Sequence, residues 1–167
     1  MPSPPDTLEL QSAFRAVMAA VCTPVSVVTA LEDDRPFGTT VSAFLSLSMT
    51  PPMVLVAFDR GSELLAVVQS TGAFGLNVLS SAQSHLALVF ARKGGTAKFA
   101  GIAWDNDGGV PRLSGNSGFV ACSVARAVDG GDHIVLLGEV RSAQPSGGPP
   151  LSYHNRVFGT HSPLEIA

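Results

Sequence analysis

Apolar positions recur along this chain with two different periods, and the periods predict its elements. Leu10, Phe14, Val17 and Met18 fall at helical spacing, so residues 8–20 are predicted to form a helix capped by Asp6 or Thr7. The β-branched run over 25–31 predicts a strand, and 32–36 a polar turn. Residues 41–48 alternate poorly but predict a strand that stops at Pro51-Pro52, and 53–58 a short apolar strand. A helix over 62–70 is ended by Thr71-Gly72; a strand follows over 74–79, then a helix through 83–90 capped by Ser80 or Ser81. Residues 92–101 read as a loop and 104–118 as irregular chain rich in Gly, Asp and Asn. Residues 119–129 and 133–143 predict paired strands around Gly130-Gly131, 146–150 a turn, and 151–158 the last ordered segment. Many short strands with few helices predict a mainly β fold, a closed antiparallel barrel. One domain is expected over 8–162, after a disordered Pro/Ser-rich tail at 1–7.

Composition narrows the classes. Hydrophobic residues make up 46% and charged residues 14%, which excludes a disordered chain. The low charge and a mean hydropathy of +0.32 predict surface covered by another subunit. A net charge of −3 without a basic run argues against nucleic acid as the partner. Cys22 and Cys122 lie in apolar runs and are expected to be reduced core residues; spacing alone leaves a disulfide between them open. No charged segment precedes an apolar one at the N-terminus and no apolar run reaches membrane-spanning length, so a soluble, cytoplasmic protein is expected.

The segment richest in chemistry is Gly38-Thr39-Thr40-Val41-Ser42-Ala43-Phe44-Leu45-Ser46-Leu47-Ser48-Met49-Thr50-Pro51-Pro52. It interleaves hydroxyls with small and apolar residues, offering donors along an apolar wall, which is what a flat heteroaromatic ring with polar edges requires. The same run also suits an ordinary Ser/Thr-rich strand. There is neither a GxGxxG turn after a strand nor a Gly-Lys-Ser/Thr phosphate loop. Ser46, His85 and Asp59 sit in no nucleophile-elbow context, and the four histidines show no paired metal-ligand spacing.

Residues 38–52 resemble the flavin-binding signature of the short-chain flavin reductases, the reductase components of two-component flavin-dependent monooxygenases. Further segments agree in order: Thr23-Pro24-Val25-Ser26-Val27-Val28-Thr29; Phe74-Gly75-Leu76-Asn77-Val78-Leu79 with Gln83 and Phe90-Ala91; Gly131-Asp132-His133; and Leu151-Ser152-Tyr153. The resemblance spans residues 14–158. It departs from the family at Pro24, where Gly is frequent, at His154-Asn155-Arg156, where aromatic residues are common, and in a modest basic loop of Arg92-Lys93 and Lys98.

The resemblance implies a Greek-key split barrel, a homodimer, and an NAD(P)H:flavin oxidoreductase that reduces FAD or FMN and supplies it to a separate monooxygenase. FAD and NADH are the expected cofactors, with FMN and NADPH as the alternatives. It also implies site residues. Thr39, Thr40, Val41 and Ser42 would meet the flavin edge, with Thr23, Pro24, Ser46, Leu47 and Ser48 beside them. Phe58 and Asp59 are further expected cofactor contacts, with core packing the alternative for Phe58, and Ser62 would meet a flavin phosphate from a helix N-terminus, with a simple N-cap the alternative. Ala91, Arg92, Lys98 and Phe99 belong to the basic loop. His133 would stand beside the nicotinamide as the catalytic residue, with Tyr153 near it. Hydride transfer needs two rings placed face to face rather than a protein nucleophile. A non-catalytic flavin-binding or storage module of the same fold is the alternative reading. A pyridoxamine-phosphate oxidase-like enzyme would be expected to show a more arginine-rich phosphate site.

Overall fold

The structure, a computed structural model, describes residues 7–165. Residues 1–6 of the expected tail, with the Asp6 cap, lie outside them, and Thr7, expected in the tail or as the cap, instead belongs to the first helix. In chain order the elements are α1 (Thr7–Ala19), β1 (Thr23–Pro24), β2 (Ser26–Glu32), β3 (Arg35–Val41), β4 (Phe44–Met49), β5 (Pro52–Asp59), α2 (Glu63–Thr71), β6 (Ala73–Val78) and α3 (Ser84–Phe90). There follow β7 (Trp104–Asp107), β8 (Val110–Leu113), β9 (Gly118–Gly130), β10 (His133–Pro145), β11 (Leu151–His154) and β12 (Val157–Thr160).

Seven strands form one antiparallel sheet in the order β3-β2-β6-β9-β10-β5-β4. Its outermost strands, β3 and β4, are consecutive in sequence and joined only by Ser42-Ala43. Three Cα steps from Val41 to Phe44 span at most about 11 Å. A flat seven-strand sheet would hold its edges about 29 Å apart. The short link therefore requires the sheet to curl until its edges meet, which makes the mainly β, barrel-like fold. Bulges in the β9–β10 ladder at Leu137/Gly138 and Val140/Ser142 add the bend. A smaller sheet, β1-β11-β12, and the hairpin β7-β8 stand outside it.

The interior follows from strand alternation. Val54, Val56 and Phe58 of β5 point inward with Val28, Phe74 and Leu136, and Leu64, Leu65, Val67 and Val68 of α2 pack with them. On the outer side, Val27, Leu79, Leu86, Phe90, Phe99, Leu113 and Leu151 form a second cluster beneath α3. Burial on both sides explains why β2 shows no alternation of apolar and polar positions: Ser26 to Ala30 are all buried, the Ser26 and Thr29 hydroxyls donating to backbone carbonyls.

Four expectations are corrected. The strand expected over 41–48 is broken at Ser42-Ala43 into the ends of two strands on opposite sheet edges, and β3 starts at Arg35. Pro36 hid that start, yet β3 pairs only with β2 and tolerates a proline as an edge strand does. Residues 104–118 contain the β7-β8 hairpin, turned by Gly108 and Gly109 at φ 62 and 84, where a glycine pair adopts the twist a two-residue turn needs. Cys22 is exposed rather than core, Cys122 is buried, and both are free thiols. The loop expected over 92–101 also holds a 3₁₀ turn, Gly95–Phe99.

Candidate functional site

A continuous cleft runs beside β3. At one end is a cavity of about 430 Å³, lined by Gly38 and Thr39 of β3, by Asp59, Gly61, Ser62, Glu63 and Leu64 at the β5-α2 junction, and by Ala91, Arg92, Lys93, Gly95 and Lys98. The middle section, about 260 Å³, is lined by Thr39, Thr40, Val41, Ser42, Ala43, Ala57, Phe58, Asp59, Ser62 and His133. Thr39, Asp59 and Ser62 belong to both. Ser42 also borders a third, more apolar section of about 500 Å³, walled by Phe14 and Met18 of α1, Thr23, Tyr153 and Arg156.

The first section sets three cations and two carboxylates beside the start of a helix. Asp59 ends β5 and its Oδ1 accepts the Gly61 N–H at 2.7 Å, while the Ser62 N–H donates to the Asp59 carbonyl at 3.0 Å. That turn starts α2, whose Ser62 Oγ accepts the Leu65 N–H at 3.4 Å. In the first turn of a helix, N–H groups lack intrahelical acceptors and carry the positive end of the dipole. Here they open beside Arg92, Lys93 and Lys98. Lys98 Nζ donates to the carbonyls of Phe90 at 3.3 Å and Arg92 at 3.0 Å, and so ties down the chain leaving α3. Burial pushes its ammonium below the usual lysine range, and the Glu63 carboxylate partly offsets this.

The wall of β3 is held from behind. Thr40 Oγ1 donates to the Ala87 carbonyl at 2.7 Å and Thr39 Oγ1 to the Phe90 carbonyl at 3.4 Å, so α3 fixes both hydroxyls. Gly38 lets α3 come close: a Cβ there would stand 2.9 Å from Phe90 Cε1 and 3.2 Å from Phe99 Cζ. Phe90 and Phe99 meet edge to face at 4.9 Å.

His133 enters from the β9-β10 hairpin. It is the register partner of Asp59 at the end of the β5-β10 ladder. Its Nδ1 lies 2.7 Å from Asp132 Oδ1. This contact assigns the proton to Nδ1 and leaves Nε2 as acceptor in the neutral ring. The hydrogen bond from His133, and then its charge, hold the Asp132 carboxyl below the usual carboxylate range.

The cleft thus collects Thr39, Thr40, Val41, Ser42, Phe58, Asp59, Ser62, Ala91, Arg92, Lys98 and His133 into its first two sections, and Thr23 and Tyr153 into the third. Five expected residues stand elsewhere. Ser46 borders a separate apolar groove between β4 and β9, and Leu47 and Ser48 follow it along the β4 edge, past a register shift. Phe99 is core. Pro24 is exposed on β1, paired with Ser152. Sequence reasoning missed Glu63, Gly95, Ala57 and Ala43, and the α1 residues Phe14 and Met18. An acidic residue in the first turn of a predicted helix was the available signal for Glu63. The α1 face was legible only as a helix stripe.

The curled antiparallel fold that borders this cleft is shared with solved flavin reductases. Residues 18–162 match the flavin reductase like domain, and the chain belongs to that family. It is 37% identical over 154 residues to the reductase component of the 4-nitrophenol 4-monooxygenase/4-nitrocatechol 2-monooxygenase of Rhodococcus opacus, covering 92% of this chain and 83% of that one. It is 36% identical over 155 residues to the FMN reductase (NADH) SmoA of Agrobacterium fabrum, covering 92% and 88%. The fold matches the NADH:FAD oxidoreductase SgcE6 of Streptomyces globisporus, in complex with NAD and FAD fragments, at a TM-score of 0.87 and 26% identity, over 96% of this chain and 98% of that one.

Proposed function

We propose that this protein is an NAD(P)H:flavin oxidoreductase that delivers reduced flavin to a separate monooxygenase. The observation that carries the reading is the continuity of the cleft from the α2 N-terminus, past β3, to His133. The residues fit both groups. Phosphates would lie against the Ser62 end of α2 with Arg92 and Lys93, and a ring edge against the outer side of β3, which pairs with β2 alone among the described residues. His133 would hydrogen-bond or stack on the nicotinamide, and Tyr153 would close the third section. When bound, the two cofactors supply hydride transfer between their rings. The protein's own residues supply binding, orientation and exclusion of water.

FAD and NADH are the preferred pair in this reading. Three cations shared with two carboxylates make a modest phosphate site for tight FMN binding. A homodimer is supported by α1, where Phe14 is 63% and Val17 64% exposed. Among the described residues no helix is long and apolar enough to cross a membrane, and a cytoplasmic setting fits this. The test is the absorbance spectrum of the purified protein, followed by steady-state NADH oxidation with FAD or FMN. Saturable, protein-dependent oxidation with either flavin is expected. A flavin-binding protein that leaves NADH oxidation at the rate of free flavin would make it a storage module instead.

A further inference from the structure

Arg60 is not among the residues lining the cleft, although its neighbours Asp59, Gly61 and Ser62 are. It makes three contacts with the tip of the β9-β10 hairpin. Its backbone N–H donates to the Asp132 carbonyl at 3.1 Å. Its Nε donates to the Gly131 carbonyl at 2.9 Å. Its Nη2 meets Asp129 Oδ1 at 2.6 Å. The hairpin turns through Gly131, at φ 68, and Asp132 before β10 begins with His133. A glycine turn of this kind is pliable, and the ladder contacts of His133 do not by themselves fix where Asp132 stands. The ion pair is exposed, with 47% of the Arg60 side chain and 82% of that of Asp129 accessible, so it contributes little to global stability. Its geometry matters more: a planar guanidinium spanning a carbonyl and a carboxylate fixes direction.

We propose that Arg60 is a positioning residue that locks the His133 hairpin to the loop opening the anion-binding end, and so sets the spacing between the two ring sites. The inference rests on the proposed flavin reductase activity. Asp59 to Ser62 form one turn, held by the Asp59 carboxylate and the start of α2. One side of that turn borders the cleft and the other grips the hairpin. Arg60 therefore acts on the nicotinamide through Asp132 and His133 and touches neither ring.

The test compares Arg60→Ala, Arg60→Lys and His133→Ala, alone and combined. Arg60→Ala is expected to raise the KM for NADH about 10-fold, leaving flavin affinity within about two-fold, because a small misplacement at a reacting centre is costly. Arg60→Lys should restore part of that loss. In the His133→Ala background, Arg60→Ala should add little, since the two act in series. A second readout is independent of turnover: the imidazole resonances of His133 should move in Arg60→Ala, with the melting temperature nearly unchanged. Equal losses in both backgrounds, a joint fall in flavin and NADH affinity, or unmoved His133 resonances would overturn the proposal. If the parent protein fails to oxidise NADH, the activity reading falls, and the resonance measurement still decides the clamp.

Discussion

Asp59 and His133 face each other across the last rung of the β5-β10 ladder. One opens the turn into α2; the other presents its imidazole to the middle of the cleft. The two halves of the site are therefore set by one strand pairing, and slipping β10 by one residue would turn His133 to the opposite face while Asp59 stayed.

His133→Ala should separate the two halves. The ring is partly exposed and not part of the core, so the variant should fold normally. The KM for NADH is expected to rise about 10-fold with flavin affinity nearly unchanged. Steady-state kinetics at saturating FAD, with a flavin fluorescence titration alongside, checks this.

The Asp132–His133 pair carries a pH signature. The carboxyl of Asp132 is depressed, so the pair is intact above the ordinary carboxylate range and is lost as pH falls through its lowered value. Asp132→Asn mimics the protonated form and should show at neutral pH the weakened NADH binding that the parent shows only in acid. An Asp132→Asn enzyme with the parent's KM for NADH across the pH range would contradict this.

The α2 boundaries, the β9-β10 hairpin and the strand over residues 53–58 were legible because periodicity, capping and glycine turns agreed. The corner at Ser42-Ala43 was not, since a change of sheet edge leaves no period of its own. Thr39 and Ser46 look alike in sequence, yet the corner sends them to opposite edge strands, and only the first reaches the cleft. Phe99 beside Lys98 looked like part of a binding loop; its ring is drawn inward by Phe90 and Trp104, at centroid distances of 4.9 and 6.1 Å. Pairings such as Asp59 with His133 depend on register between distant segments, which local patterns do not carry.

Gly38 should tolerate no branched side chain. A Cβ there already falls within 2.9 Å of the buried Phe90 ring. Gly38→Val is expected to lower stability by about 1–3 kcal/mol through overpacking. It should also weaken flavin binding by moving β3 off α3. Urea unfolding and a flavin titration measure the two effects.

The two thiols should differ sharply in reactivity. Burial pushes the Cys122 thiol up to about 12, so it stays protonated and enclosed at neutral pH. Cys22 is exposed. Iodoacetamide should modify Cys22 alone in the native protein and both residues after denaturation, as read by intact mass. Labelling of native Cys122 would contradict the packing described for β9.

In the proposed function, flavin and nicotinamide meet in the cleft and one reduces the other. Anaerobic stopped-flow mixing of protein and FAD with NADH tests this directly, by following loss of the oxidised flavin absorbance. Rapid bleaching is expected, with a rate that saturates with NADH and falls sharply in His133→Ala. Bleaching no faster than that of free FAD with NADH would contradict it.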